Sequence, residues 1–245
     1  MKKRKLISVI LSLLILCSVF SACSGKTENV TEAPTEEAAS EDESTIAVYV
    51  SIAYKEPKLT WVRVNVTDAD EDGKFTICDA LYCAHEQYFE DGADGFAYKE
   101  TEYGLSLTKL GGIGDGAAFG YYLNNASPMS LLDEVKDGDS VYAFVYADNV
   151  NYSDTFCYFG ENRITAGNGE EYTLTLTSAG FDENWAPVTS PLRDAQITVD
   201  GENTGIFTDE EGKAAITLTA GEHIISAVSD TMTLVPPVCT AEVKD

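Results

Sequence analysis

The chain has 245 residues, 44% of them apolar, and sets 16 Lys+Arg against 41 Asp+Glu for a formal net charge of −25. So acidic a surface repels phosphate backbones and anionic headgroups, which excludes nucleic acid as a partner and excludes membrane binding through surface charge. The apolar fraction is ample for globular cores, and the roughly 200 residues beyond the N-terminal segments suit two domains.

Lys2, Lys3, Arg4 and Lys5 precede an apolar run from Leu6 to Phe20, which small residues close at Cys23. The run is short for a spanning helix, which needs about 20 apolar residues. The layout resembles a bacterial lipoprotein signal. That resemblance implies cleavage after residue 22, lipidation of Cys23, and an extracytoplasmic protein anchored to the cell membrane through its lipid. An ordinary secretory signal and an uncleaved anchor are the alternatives. Loss of residues 1–22 removes four basic side chains and no carboxylate, leaving a formal charge of −29. Residues 23–44 hold seven carboxylates, one lysine and no aromatic ring. They cannot bury enough apolar surface to offset their ordering entropy and read as a disordered tether.

A first domain is expected over 45–165, α+β, with a mixed sheet and one helix. Thr45–Ala53 and Thr60–Thr67 have strand composition, Phe75–Ile77 reads as a short strand, and Asp79 opens a helix running to Phe89. The strand after the 136–139 turn alternates Val141, Ala143 and Val145 with Tyr142, Phe144 and Tyr146. The aromatic face supports two readings. One is a ligand platform formed by Tyr121, Tyr122, Asn124 and Tyr142. The favoured one is a central strand buried on both sides, with the 79–89 helix over the aromatics. A second domain, 166–245, carries short strands separated by turns at the spacing of an all-β antiparallel sandwich. Pro236–Pro237 places its last piece at an edge.

Between the first two strands and the helix lies DADEDGKFTICD, Asp68 to Asp79. Asp68, Asp70 and Asp72 occupy positions one, three and five of a twelve-residue loop, and Gly73 takes the sharp turn at six. Lys74 offers a carbonyl at seven, Thr76 fills nine and Asp79 closes at twelve. Calcium takes six to eight oxygens at about 2.3–2.6 Å, and this spacing makes alternate side chains converge. An acidic β-turn is the bland alternative. The short Asp at twelve, where Glu is usual, implies weak affinity, about 10⁻⁴–10⁻³ M.

Cys78, Cys83, Cys157 and Cys239 have no metal-ligand spacing and leave disulfides and free thiols equally open. His85 and His223 are isolated, and no nucleophile elbow or singled-out acid pair is present. No enzyme is expected.

Three resemblances add to this reading. ICDAL at 77–81, FGYYLNN at 119–125 and VKDGDSVYAFVY at 135–146 resemble the transcobalamin C-terminal-like surface domain, which implies an α+β fold and, by analogy, a corrinoid as ligand. The aspartate loop is similar to the calcium loop of dockerins, of which this chain has one copy where dockerins have two. The segment 194–227, with TDEEGKA between two strands, resembles transthyretin-like and immunoglobulin-like bacterial surface sandwiches. The expected function is a non-catalytic, lipid-anchored binding or display protein with a structural Ca2+ and an unknown surface ligand or protein as partner. The alternatives are a solute-binding lipoprotein serving a transporter and a surface hydrolase.

Overall fold

The computed structural model describes residues 45–245. The signal, the lipidation position Cys23 and the tether lie outside the described residues. The fold is mostly β, with several sheets and a single α-helix among the described residues.

The first half is built from β1 (Thr45–Tyr54), β2 (Glu56–Thr67), α1 (Ile77–Tyr88), β3 (Ala97–Thr101), β4 (Gly104–Lys109), β5 (Phe119–Leu123) and β6 (Ser140–Val145). β3 and β4 form a separate hairpin, and the other strands order as β2-β1-β6-β5. β1 and β6 run parallel, with antiparallel neighbours outside them, so the sheet is mixed as expected. β1 is an inner strand, which is why it is apolar on both faces. Val48, Val50 and Ile52 meet the cluster formed with Ala80, Leu81 and Ala84 of α1. Ala47, Ser51 and Ala53 are buried on the opposite side.

α1 begins two residues before the expected Asp79. Thr76 is its N-cap and Asp79 its third residue, joined in a reciprocal capping box. Phe75–Ile77 is therefore a helix entry and not a strand; Thr76 makes only an isolated bridge to Glu134.

The faces of β6 reverse the expected cover. Val141, Ala143 and Val145 pack with α1, while Tyr142 and Phe144 pack with Phe156, Val235 and Val238 from the later chain. The Tyr122 and Phe156 rings stack at 3.6 Å, and the Tyr142 hydroxyl donates to the Pro236 carbonyl. Small side chains thus meet the helix, and the rings meet the second half.

That half contains β7 (Cys157–Phe159), β8 (Arg163–Gly167), β9 (Glu171–Phe181), β10 (Pro187–Pro191), β11 (Gln196–Val199), β12 (Glu202–Phe207), β13 (Lys213–Thr217), β14 (Gly221–Val228) and β15 (Cys239–Lys244). β10-β9-β13, with β7 also on β9, and β12-β11-β14-β15-β8 are the two sheets. Leu174, Leu176, Ile216, Ile197, Ile225 and Val243 share one buried cluster between them. Three expectations are corrected here. β15 is an inner strand, because Pro236–Pro237 fall before it and leave its amides free to pair with β14 and β8. The β8–β15 pair is parallel, so the sandwich is not wholly antiparallel. The boundary at 165/166 falls inside β8, and Cys157, Phe159 and Ile164 already belong to the second core. Residues 45–245 lie within one compact unit.

Candidate metal centre

The chain leaves β2 at Thr67 and turns back through Glu71 at φ +59° and Gly73 at φ +87°. Left-handed backbone at Gly73 carries no Cβ penalty, so the sharp turn is made where the sequence placed it. The carboxylates fold inward onto the loop's own amides. Asp68 accepts from the Asp72 amide at 3.0 Å and the Gly73 amide at 2.8 Å, and Asp70 accepts from Asp72 at 3.3 Å.

Asp79 ties the two ends of the loop together from the first turn of α1. Its Oδ1 accepts from the Ala69 amide at 3.1 Å. Its Oδ2 accepts from the Thr76 amide at 2.9 Å and the Thr76 hydroxyl at 2.6 Å. These donors offset the desolvation of a carboxylate only 3% exposed. The 131–135 segment holds the loop's exit. The Ile77 and Cys78 amides donate to the carbonyls of Asp133 and Leu131, and the Val135 amide donates to that of Phe75.

Asp68, Asp70 and Asp79 each present a carboxylate oxygen, all within 4.8 Å of one another. Three of the six expected positions are thus brought together. Asp72 stands aside, its Oδ1 accepting from the Lys74 amide at 2.9 Å. The Lys74 ammonium lies 3.2 Å from Glu134. The Thr76 hydroxyl is committed to Asp79, donating to its carboxylate and accepting from its amide.

Asp70 is held above the ordinary carboxylate pKa, first by desolvation and then by the charges of Asp72, Asp79 and Asp68. A divalent cation at the cluster would reverse those charge terms. The donor set is hard oxygen, which fits calcium or magnesium and not zinc. Cys78 lies alongside, but burial and then the Asp79 and Asp70 charges push its thiol up to about 12. It is not part of the carboxylate cluster. A cavity of about 330 Å³ opens beside Asp70 and Asp79, walled by Cys78, Tyr82, Phe96 and Tyr98. Sequence reasoning missed this wall, which a 3-10 turn and β3 bring in from twenty residues away.

The four candidate ligand-binding residues do not converge. Tyr121 pairs with Ala143 and packs on the helix side, whereas Tyr122 pairs with Tyr142 and joins the aromatic cluster. The space beside Tyr142 is filled by Phe156 at 5.5 Å between ring centroids. Asn124 is exposed and serves the turn, donating to Asp139 and accepting from the Ser140 amide, each at 2.8 Å.

Both histidines have structural partners. His85 Nδ1 donates to the Leu81 carbonyl at 2.7 Å, and Nε2 accepts from the Gly111 amide at 2.8 Å. That pairing is the neutral imidazole, and burial lowers its pKa. His223 bonds to Asp200 at 2.7 Å and to the Thr219 carbonyl at 2.9 Å, which raises its pKa. Cys78, Cys83, Cys157 and Cys239 are all free and buried.

No protein-family model matches the chain, and no curated protein matches it.

Proposed function

We propose that the chain is a non-catalytic binding or display protein, held at the bacterial cell surface by a lipid on Cys23, whose aspartate loop carries one structural Ca2+. The observation that carries the calcium reading is the convergence of Asp68, Asp70 and Asp79 on the loop between β2 and α1. Together with the Asp70 pKa raised in the absence of a counter-charge, it makes the cluster a place where a cation relieves repulsion. Its role is to pin the strand exit to the helix start.

The non-catalytic reading is supported by the fate of the reactive side chains. Both histidines are committed to hydrogen bonds. Burial raises the thiols of Cys78, Cys157 and Cys239 far above neutrality, away from nucleophilic use. The filled space beside Tyr142 favours display over capture of a solute there.

Calorimetric titration tests the calcium reading. The protein from residue 24 onward should bind one Ca2+ with Kd of about 10⁻⁴–10⁻³ M and Mg2+ more weakly, since magnesium demands a tight octahedron and dehydrates reluctantly. Asp70→Ala should abolish the calcium heat. Absence of binding in the wild type would leave the loop an acidic turn.

A further inference from the structure

A second feature of the molecule lies on the outer edge of the first sheet, in β2. In the β1–β2 ladder Val50 pairs with Val62 and Ile52 with Leu59. Thr60 and Trp61 are therefore both set against Ser51, a β-bulge on β2 that the Trp61 amide closes by donating to the Ser51 hydroxyl at 2.9 Å. Trp61 sits at φ +47°, a region that bulky side chains enter only when the surroundings enforce it. Its indole Nε1 is the one buried side-chain polar atom without a partner among the described residues. Bulges of this kind re-aim a side chain and cluster at functional sites. Here strain and an unpaired donor fall on the same residue.

The re-aimed indole stacks on Tyr49, with centroids 4.0 Å apart and planes within 6°. The pair walls a cleft of about 620 Å³ between the first sheet and the β14–β15 face of the second half. Arg63 stands beside Tyr49, its partner across the β1–β2 ladder, and Arg163, Asp200, Glu222, His223 and Glu242 also line the cleft. In a chain with four arginines, two line this one cleft. Arg163 pairs with Glu242 at 3.2 Å, and Arg63 donates to the Asn65 side-chain oxygen at 3.0 Å. Past Asp200 and Ile224 it continues into a second cleft of about 670 Å³, flanked by Pro57, Val228 and Met232. The two clefts adjoin at Asp200 and Ile224, and the first offers aromatic rings and planar polar groups that can take paired hydrogen bonds.

An extended peptide would need a free strand edge, and β2 is covered at Arg63 and Asn65, beside the cleft. Gln87 of α1 donates to the Asn65 carbonyl at 2.7 Å and accepts from its amide at 3.1 Å. The Tyr88 hydroxyl donates to the Arg63 carbonyl at 2.7 Å. The edge is capped by helix side chains, which blocks strand addition. Recognition in the groove is left to side chains. An aromatic ring suits the C–H face of a pyranose, and the exposed guanidinium of Arg63 and carboxylate of Glu222 suit its hydroxyls. We propose that this groove binds an extended oligosaccharide, with a sugar ring against the Tyr49–Trp61 pair and Arg63 and Glu222 holding its hydroxyls.

The chain has two tryptophans, and Trp185 is 81% exposed on the β9–β10 hairpin, so Trp185→Phe makes fluorescence report on Trp61 alone. This protein, with calcium present, is titrated with the hexaoses of β-1,4-glucose, β-1,4-xylose, β-1,4-N-acetylglucosamine and α-1,4-glucose, followed by fluorescence and by calorimetry. At least one should bind saturably below about 10 mM. Arg63→Ala or Glu222→Ala, both at exposed positions, should weaken it about tenfold or more. The proposal is overturned if no hexaose gives a response by either method, or if binding is unchanged in both variants. It is also overturned if an extended Thr-Val repeat peptide binds while every sugar is silent. Each result is independent of whether the aspartate loop binds calcium.

Discussion

β6 presents side chains of two sizes to two different neighbours. On one face Val141, Ala143 and Val145 meet α1; on the other Tyr142 and Phe144 meet Phe156, Val235 and Val238. The small face belongs to a core closed within the first hundred residues of the folded part. The aromatic face is closed by chain from the second half, and the Tyr142–Pro236 hydrogen bond spans 94 residues. A strand's alternation shows that both faces are buried, but the size of the side chains, and not their hydrophobicity, decides which layer each face receives. The comparison predicts that damage to the aromatic face, which both halves share, costs more than damage to the helix face.

The largest effect is expected from Phe156→Ala. It removes the ring stacked on Tyr122 and edge-on to Tyr142, and truncations of this kind cost about 3–5 kcal/mol. Thermal unfolding followed by near-UV and far-UV circular dichroism should show one cooperative transition, shifted down as a whole. Two transitions, with only one moved, would make the halves independent and the shared layer incidental.

A smaller loss is expected from Gly120→Ala. Gly120 pairs with Phe144 across β5–β6, and a Cβ there would lie 2.3 Å from the Phe144 ring. Overpacking of this sort costs about 1–3 kcal/mol, read from denaturant melts. Relief by Phe144→Leu in the double variant would place the clash where the geometry puts it.

The smallest effect concerns the helix face. Burial lowers the His85 pKa in the fold, so the unfolded chain takes up the proton first. Its neutral form is fully compatible with the fold above the unfolded value of about 6.5, and stability drains as pH falls below it. His223, raised by Asp200, has the opposite sign. It adds stability below that value and loses it as pH rises through its folded pKa. Comparing pH–stability curves for His85→Phe and His223→Gln separates the two. A wild-type-like acid slope in His85→Phe would contradict the assignment.

Much of this was legible in the sequence, and the failures have physical causes. The mixed first sheet and the sandwich strands could be read because alternation and turn chemistry are local. The convergence of Asp68, Asp70 and Asp79 could be read because they sit within twelve residues, so spacing alone brings them together. The helix start was misplaced because Asp79 was weighed as a ligand, and Thr76, three residues before it, is the better cap. The layer over Tyr142 was not legible, since Phe156 and Val235 approach only after the chain has folded back. For the same reason the Trp61 groove left no pattern. Its walls come from positions 49, 60–63, 88, 163, 200, 222–224 and 240–242, and the bulge that aims Trp61 depends on a register no single strand encodes.

The central claim, that the aspartate loop carries calcium, is tested most directly by the melting temperature of the protein in chelator and in calcium. With Kd near 10⁻⁴ M, about 1 mM calcium should stabilise by about 1.4 kcal/mol, which raises the melting temperature by about 3–5 °C for a folded unit of this size. Asp70→Ala should lose that rise. In chelator it should melt no lower than wild type, because the raised pKa of Asp70 means its ionised form opposes folding. Identical wild-type melting in chelator and in calcium would contradict the account.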